Sequence, residues 1–241
     1  QSVRFRSPED VLSEGAPAAA WIAGQPGKFR VYTPDYSISQ QTAVLFRLEL
    51  VNGVDPLQLS AYAEAVSQAG GIPLEGYDVV LPPLSQGGNP GTPNAAALGQ
   101  FNAFYVVSQT AVEADGLIQV QKFDQTRIYR NLLVQPRAWV EQSSLADLPV
   151  QDVIVRPNII TVRADGPGKL VLSEIAYPGW QARVDGQSAQ MLEHGISRAV
   201  NLGPGTHLVE FVYRPASVLI GLGLFLVGGF LVVILTRTRA V

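Results

Sequence analysis

Cysteine is absent from the 241 residues, methionine occurs once and histidine twice. Without thiols the chain can form no disulfide, no thiolate metal site and no covalently attached c-type haem. That absence leaves the compartment open, because an extracytoplasmic bacterial domain of this size can do without disulfides. Charge is scarce too: charged residues make up 15% of the chain, the net charge is −3, and the only lysines are Lys28, Lys122 and Lys169. No run of lysine and arginine exists, which argues against a nucleic-acid partner and against a polybasic lipid-binding surface. The first thirty residues, opening on Gln1, hold no apolar signal-peptide core. The expectation is therefore a removed leader, or a C-terminal piece of a longer protein.

What is plentiful is glycine, 23 residues, and proline, 17. With so many turn formers the composition suits strand-rich globular structure better than a helix bundle or a disordered chain. The length ahead of the C-terminal apolar run is enough for one large or two modest domains with real cores.

That apolar run is the most informative segment. Residues 218–235 carry no charge and no strongly polar side chain, and Thr236-Arg237-Thr238-Arg239 follows at once. At about 1.5 Å per helical residue it spans about 27 Å, close to the hydrocarbon thickness of a bilayer. A buried core helix would carry a polar stripe, and this run has none. It predicts a transmembrane helix over 216–236 and a short tail at 237–241. Arg237 and Arg239 beyond the run, against Arg214 alone just before it, favour a cytoplasmic C-terminus. A tail-anchored topology with a cytoplasmic body competes on charge alone. Gly221 and Gly228 are seven residues apart and share a helix face, with Gly229 adjoining. Small residues let a second helix approach closely, so these three form the candidate docking face for other membrane subunits.

Along the rest of the chain, residues 1–116 mix element types. Phe29-Arg30-Val31-Tyr32 predicts a short strand, and Asp55-Pro56 a helix start running through Tyr62 and Val66 to Gly70-Gly71. Residues 81–95 form a loop by composition, and 103–107 a buried strand. From Leu117 the pattern is strand and turn. Strands are expected at 118–123, 126–130, 138–142, 153–156, 159–164, 169–176, 181–184, 189–192, 197–202 and 207–213. Asp165-Gly166-Pro167-Gly168, Asp185-Gly186 and Gly203-Pro204-Gly205 are read as turns between them. The fold class is therefore mainly β with an α/β N-terminal part: an antiparallel β-sandwich over 117–215, followed by one C-terminal transmembrane helix.

The C-terminal strands carry a pattern: Tyr177-Pro178-Gly179-Trp180, Val184-Asp185-Gly186, Gly203-Pro204-Gly205-Thr206-His207, then Val209-Glu210-Phe211-Val212-Tyr213-Arg214-Pro215 running into the apolar helix. This resembles the ending of the large extracytoplasmic region of YfhO-type bacterial membrane proteins, which are similar to GT-C glycosyltransferases acting on lipid-linked sugars. Phe29-Arg30-Val31-Tyr32, Asn52-Gly53-Val54-Asp55-Pro56-Leu57, Asn102-Ala103-Phe104-Tyr105-Val106-Val107, Tyr129-Arg130-Asn131 and Pro136-Arg137-Ala138 fit the same region in the same order. The resemblance implies an extracytoplasmic body, anchored in a bacterial cytoplasmic membrane. It carries over no catalytic residue, since the family's acidic residues lie between early membrane helices with no counterpart here.

The residues themselves offer little chemistry. His194 and His207 show no metal-binding spacing, no strained nucleophile turn of the G-x-S-x-G type occurs, and Gln86-Gly87-Gly88-Asn89-Pro90-Gly91 lacks the lysine of a phosphate loop. Asp185 is explained by turn geometry. Trp180 and Tyr177, with Trp139 and Tyr213, are candidates for a glycan-binding face, since aromatic rings stack on sugars, though such rings more often fill a core. The expectation is a non-catalytic, single-pass accessory subunit without cofactor or metal, its partners the lipid bilayer and other membrane subunits. The alternatives are the C-terminal portion of a YfhO-type glycosyltransferase whose sandwich assists acceptor binding, and a free-standing carbohydrate-binding module.

Overall fold

A computed structural model describes residues 13, 15–74, 76, 78–81, 91–142 and 147–238, with the side chains of 149, 219 and 232–238 left aside. The chain is mainly β, with 41% strand against 23% helix and mostly antiparallel strand pairing. It divides into two compact units.

The first unit comprises Gln1–Trp139, Leu172–Ile175 and His194–Ser197. Its strands are β1 (Arg30–Tyr32), β2 (Glu49–Leu50), a small ribbon of β3 (Gly53–Val54) and β4 (Val80–Leu81), then β5 (Ala103–Ser108), β6 (Leu117–Phe123) and β7 (Thr126–Asn131). The main sheet has the order β2-β1-β5-β7-β6. β1 runs parallel to β2 and β5, whereas β7 is antiparallel to β5 and β6. Four helices accompany it: α1 (Ala16–Ala23), α2 (Gln40–Leu45), α3 (Ser60–Gly70) and α4 (Ala95–Gln100). Side chains alternate across a strand, so each strand feeds two cores. Tyr32, Val106 and Tyr129 pack with Ala63 and Val66 of α3 and Leu98 of α4. Their neighbours Val31, Tyr105, Val107 and Ile128 pack instead with Ala18 and Ile22 of α1 and Ala43 of α2. Both faces of the sheet are covered, as parallel pairing requires.

Two sequence expectations shift in this unit. Helix α3 begins at Ser60 rather than Asp55 because the Asp55 carboxylate accepts the Leu57 backbone N–H at 2.8 Å, making a local turn that competes with the helix. Strands β6 and β7, expected from sequence to start the sandwich, join β5 in this sheet, with Val106 opposite Tyr129.

The second unit comprises Val140–Val171, Ala176–Glu193 and Arg198–Val241. The remaining strands are β8 (Ala138–Glu141), β9 (Leu148–Pro149), β10 (Asp152–Arg156), β11 (Ile159–Ile175), β12 (Trp180–Val184), β13 (Gln187–Ala189), β14 (Leu192–His194) and β15 (Ser197–Tyr213). They form a sheet of order β13-β12-β15-β11-β8-β9, with β10 added to β11 and β14 to β15. Leu170, Val200, Val209 and Phe211 are fully buried; each contributes about 1.5–3 kcal/mol of apolar burial. Asp185-Gly186 makes the expected two-residue hairpin, both residues at positive φ, with Val184 opposite Gln187. The strand expected at 189–192 is instead split into β13 and β14.

The two other expected turns are not turns. β11 runs unbroken through Asp165-Gly166-Pro167-Gly168, and β15 through Gly203-Pro204-Gly205. The reason is close approach: a Cβ added at Gly166 would overlap the Gly203 carbonyl oxygen. Glycine inside a strand marks such places as often as it marks a turn.

After Arg214 and Pro215 comes helix α5 (Ala216–Thr238), 23 residues long. Among the described residues no helix is long and apolar enough to cross a membrane. Side chains of α5 are described only at 216–218 and 220–231, fewer than a span needs. The expected span is thus not established by the described residues. Arg239 and residues 86–90 of the glycine-rich loop lie outside them.

Candidate functional site

The C-terminal motif residues, scattered in sequence, gather at the two ends of the β12–β15 pairing. β12 is antiparallel to β15, with Trp180 opposite Tyr213 and Val184 opposite Val209. At one end the Tyr177–Trp180 turn closes on the strand that leads into α5. The Arg214 backbone N–H donates to the Gly179 carbonyl at 2.6 Å. Tyr177 stacks on Tyr213 with ring centroids 6.3 Å apart, and Trp180 lies 5.3 Å from the same ring. Gly179 has φ of 103°, and a Cβ there would come within 2.9 Å of the Tyr213 ring and 3.1 Å of Pro215. Only glycine fits that turn. The buried Arg198 guanidinium sits over Trp180, 3.8 Å from its ring centroid, and 5.7 Å from the Phe211 ring.

These contacts decide what the aromatic residues can offer. One face of Trp180 is covered by Arg198, and Trp139 is buried and meets the His194 ring nearly at right angles, centroids 6.2 Å apart. Tyr177 remains 39% exposed. Beside the Tyr213 ring lies a cleft of about 610 Å³, lined by Asn158, Tyr213, Arg214, Pro215 and Val218. Its lining combines the apolar Tyr213, Pro215 and Val218 with the polar Arg214 and Asn158. A Cβ added at Gly221, Gly228 or Gly229 would meet nothing within 4 Å, so the structure leaves all three unpacked and does not join them to the aromatic cluster.

At the other end of the pairing, Asp185 and His207 meet. His207 Nδ1 is 2.7 Å from Asp185 Oδ2, and Nε2 is 3.1 Å from the Gly203 carbonyl. The Leu208 backbone N–H also donates to Asp185 Oδ1 at 2.9 Å. That N–H, followed by the His207 ring, holds the Asp185 carboxyl below its ordinary range. The bond to Asp185 raises His207 above its ordinary value, with weak burial opposing and the Gly203 carbonyl assisting. Both ring nitrogens are engaged inside the chain, which suits a strand fastener and leaves no lone pair for a metal. Among the described residues no group of three or more metal-ligating side chains occurs.

The first unit holds two polar clusters that sequence reasoning missed. Glu174 Oε1 accepts from Arg30 Nη2 at 2.8 Å and Arg137 Nε at 2.9 Å, while Glu49 Oε2 accepts from Arg137 Nη1 at 2.7 Å. Each carboxylate here answers a guanidinium, so neither is placed to move a proton. The only sequence signal was arginine inside otherwise apolar strand segments, Phe29-Arg30-Val31 and Arg137-Ala138-Trp139. Asp35 lies past the carboxyl end of β1, where open α/β sheets commonly bind ligands. Its own carboxylate fills that place, accepting from Ser108 Oγ and the Gln109 N–H, each at 2.8 Å. A separate cleft of about 340 Å³ includes Asn52, Asp55, Gln58 and Tyr62 in its lining. Burial pushes the Tyr62 hydroxyl up to about 12, and it donates to the Val51 carbonyl, so it stays protonated.

No family model, curated protein or solved structure matches the chain. The site's geometry alone must carry the functional reading.

Proposed function

We propose that this chain is a non-catalytic extracytoplasmic protein, anchored in a bacterial cytoplasmic membrane by α5 and serving as an accessory subunit of a larger membrane assembly. The observation that carries this reading is the junction between β15 and α5. Only Arg214 and Pro215 separate a sheet strand from a helix with exposed apolar side chains, among them Val218, Leu222, Leu224, Phe225, Val227 and Phe230. At 100° per residue those positions surround the helix rather than forming one stripe, which favours lipid over a protein groove. The uncharged run continues in sequence to Leu235. Among the described residues the polar clusters are satisfied within the chain and supply no nucleophile paired with a base, which supports a structural role over a catalytic one. In this reading Gly221, Gly228 and Gly229 form the face that meets a partner's helix, and the second unit is a β-sandwich standing on the membrane surface. The likeness to YfhO-type proteins stays a proposal with the same topology.

Flotation and co-purification test this. Expressed in bacterial membranes, the chain should float with liposomes after carbonate washing and bring a constant partner through purification in mild detergent. Recovery in the soluble fraction after carbonate would sink the anchor. Recovery from the membrane always alone, or unchanged partner yield for Gly221→Leu/Gly228→Leu, would sink the docking role.

A further inference from the structure

We infer that the cleft at the root of α5 is a binding site for the headgroup of an anionic phospholipid; this rests on the anchoring reading above. Its lining divides by chemistry. Tyr213, Pro215 and Val218 contribute apolar surface, Val218 from α5 itself, while Arg214 and Asn158 contribute a cationic and an amide-bearing residue. A glycerophospholipid has the same division, with acyl chains on one side and a phosphodiester on the other.

Three further observations select this occupant. Arg214 is exposed, and among the described residues its guanidinium has no ion pair or hydrogen bond. Its backbone is pinned by the 2.6 Å bond to Gly179, and the Tyr213 backbone N–H donates to the Asn158 carbonyl at 2.8 Å. Arg214, directly after β15, and Asn158, in the turn between β10 and β11, are thereby each tied by a backbone hydrogen bond to a neighbouring segment. Tyr177 and Tyr213 stack beside the cleft, and tyrosine and tryptophan at headgroup depth are what membrane interfaces collect. A protein groove would need a polar face on the helix to define its edge, and the described part of α5 has none.

An unshielded phosphate distinguishes anionic from zwitterionic lipid, in which the ammonium competes for the phosphate. One arginine at the membrane surface contributes a preference of about fivefold. The test reconstitutes the full chain in phosphatidylcholine vesicles with and without phosphatidylglycerol, and reads lipid carried through detergent extraction by mass spectrometry. Enrichment of phosphatidylglycerol over its bulk fraction by about fivefold, lost in Arg214→Gln and kept in the distant Arg163→Gln, is the expected result. Asn158→Leu should lower it in part, and an unchanged melting temperature for Arg214→Gln excludes misfolding. Glycerol phosphate added to 10-fold excess over lipid should not displace the bound lipid if the acyl side contributes, and complete displacement would overturn the lipid assignment. If the chain floats with both vesicle types but Arg214→Gln retains the enrichment, the headgroup site is wrong and the anchor stands. If it fails to float with either, the anchor itself is wrong and the site falls with it.

Discussion

Gly179 is the residue on which the aromatic cluster turns. A methyl group there would press on the Tyr213 ring and the Pro215 Cα, and its φ of 103° disfavours any L side chain. Gly179→Ala should therefore cost about 2 kcal/mol through overpacking and backbone strain, measured as a lowered thermal midpoint of the full chain in detergent. An unchanged midpoint would mean the turn is not closed on the strand. At the opposite end the His207–Asp185 pair predicts a pH dependence whose sign follows from the two shifts. His207 is raised in the folded chain, so its contribution is full below the unfolded value of about 6.5 and disappears as pH rises through the folded value. Asp185 is lowered, so its contribution is present above about 4 and disappears only in stronger acid. The stability gap between the native chain and His207→Gln should accordingly be widest near pH 5 to 6 and shrink toward pH 9. A gap that widens with pH would reverse the assignment.

Between elements, the arginine–carboxylate cluster ties three segments of the first unit together. Arg30 is on β1, Arg137 just before β8, and Glu174 near the end of β11. The two guanidinium side chains are 14% and 12% exposed, whereas Glu49 is 57% exposed. Removing Glu174 leaves two mostly buried cations with one solvent-screened partner. Glu174→Ala should cost about 2 kcal/mol, less than a fully buried pair would, and Glu49→Ala under 1 kcal/mol; equal losses in chemical denaturation would contradict this ranking. The contrast also explains what the sequence could reveal. Strand β5, the Asp185-Gly186 hairpin and α3 with its Gly70-Gly71 end were legible because local chemistry decides them. Parallel β1–β5 pairing, and the passage of β6 and β7 into the first sheet, depend on contacts distant in sequence that no local pattern encodes. Gly166 reads as a turn in sequence because a glycine needed for close backbone approach looks like one needed for a bend. The motif residues at the root of α5 were legible as a list, but their convergence on Tyr213 required the antiparallel register of β12 on β15.

At the scale of the molecule, the short Arg214-Pro215 connection matters more than any single contact. A helix joined to a sheet by a long flexible linker would leave its domain free to drift from the bilayer, and nothing at the junction would be held at headgroup depth. Here the connection is two residues and is fastened to Gly179, so the start of α5 is tied to the Tyr177–Trp180 turn. Inserting eight glycine and serine residues between Pro215 and Ala216 keeps every contact of the aromatic cluster and changes only this coupling. Such an insert has a mean span of about 15 Å, beyond the screening length of about 8 Å at physiological salt. Arg214 would then stand too far from the phosphates to sense them. Flotation should be unaffected, because the helix is intact, while the phosphatidylglycerol enrichment should fall to the level of Arg214→Gln. Retained enrichment would show that the preference resides in α5 itself and not in the cleft at its root.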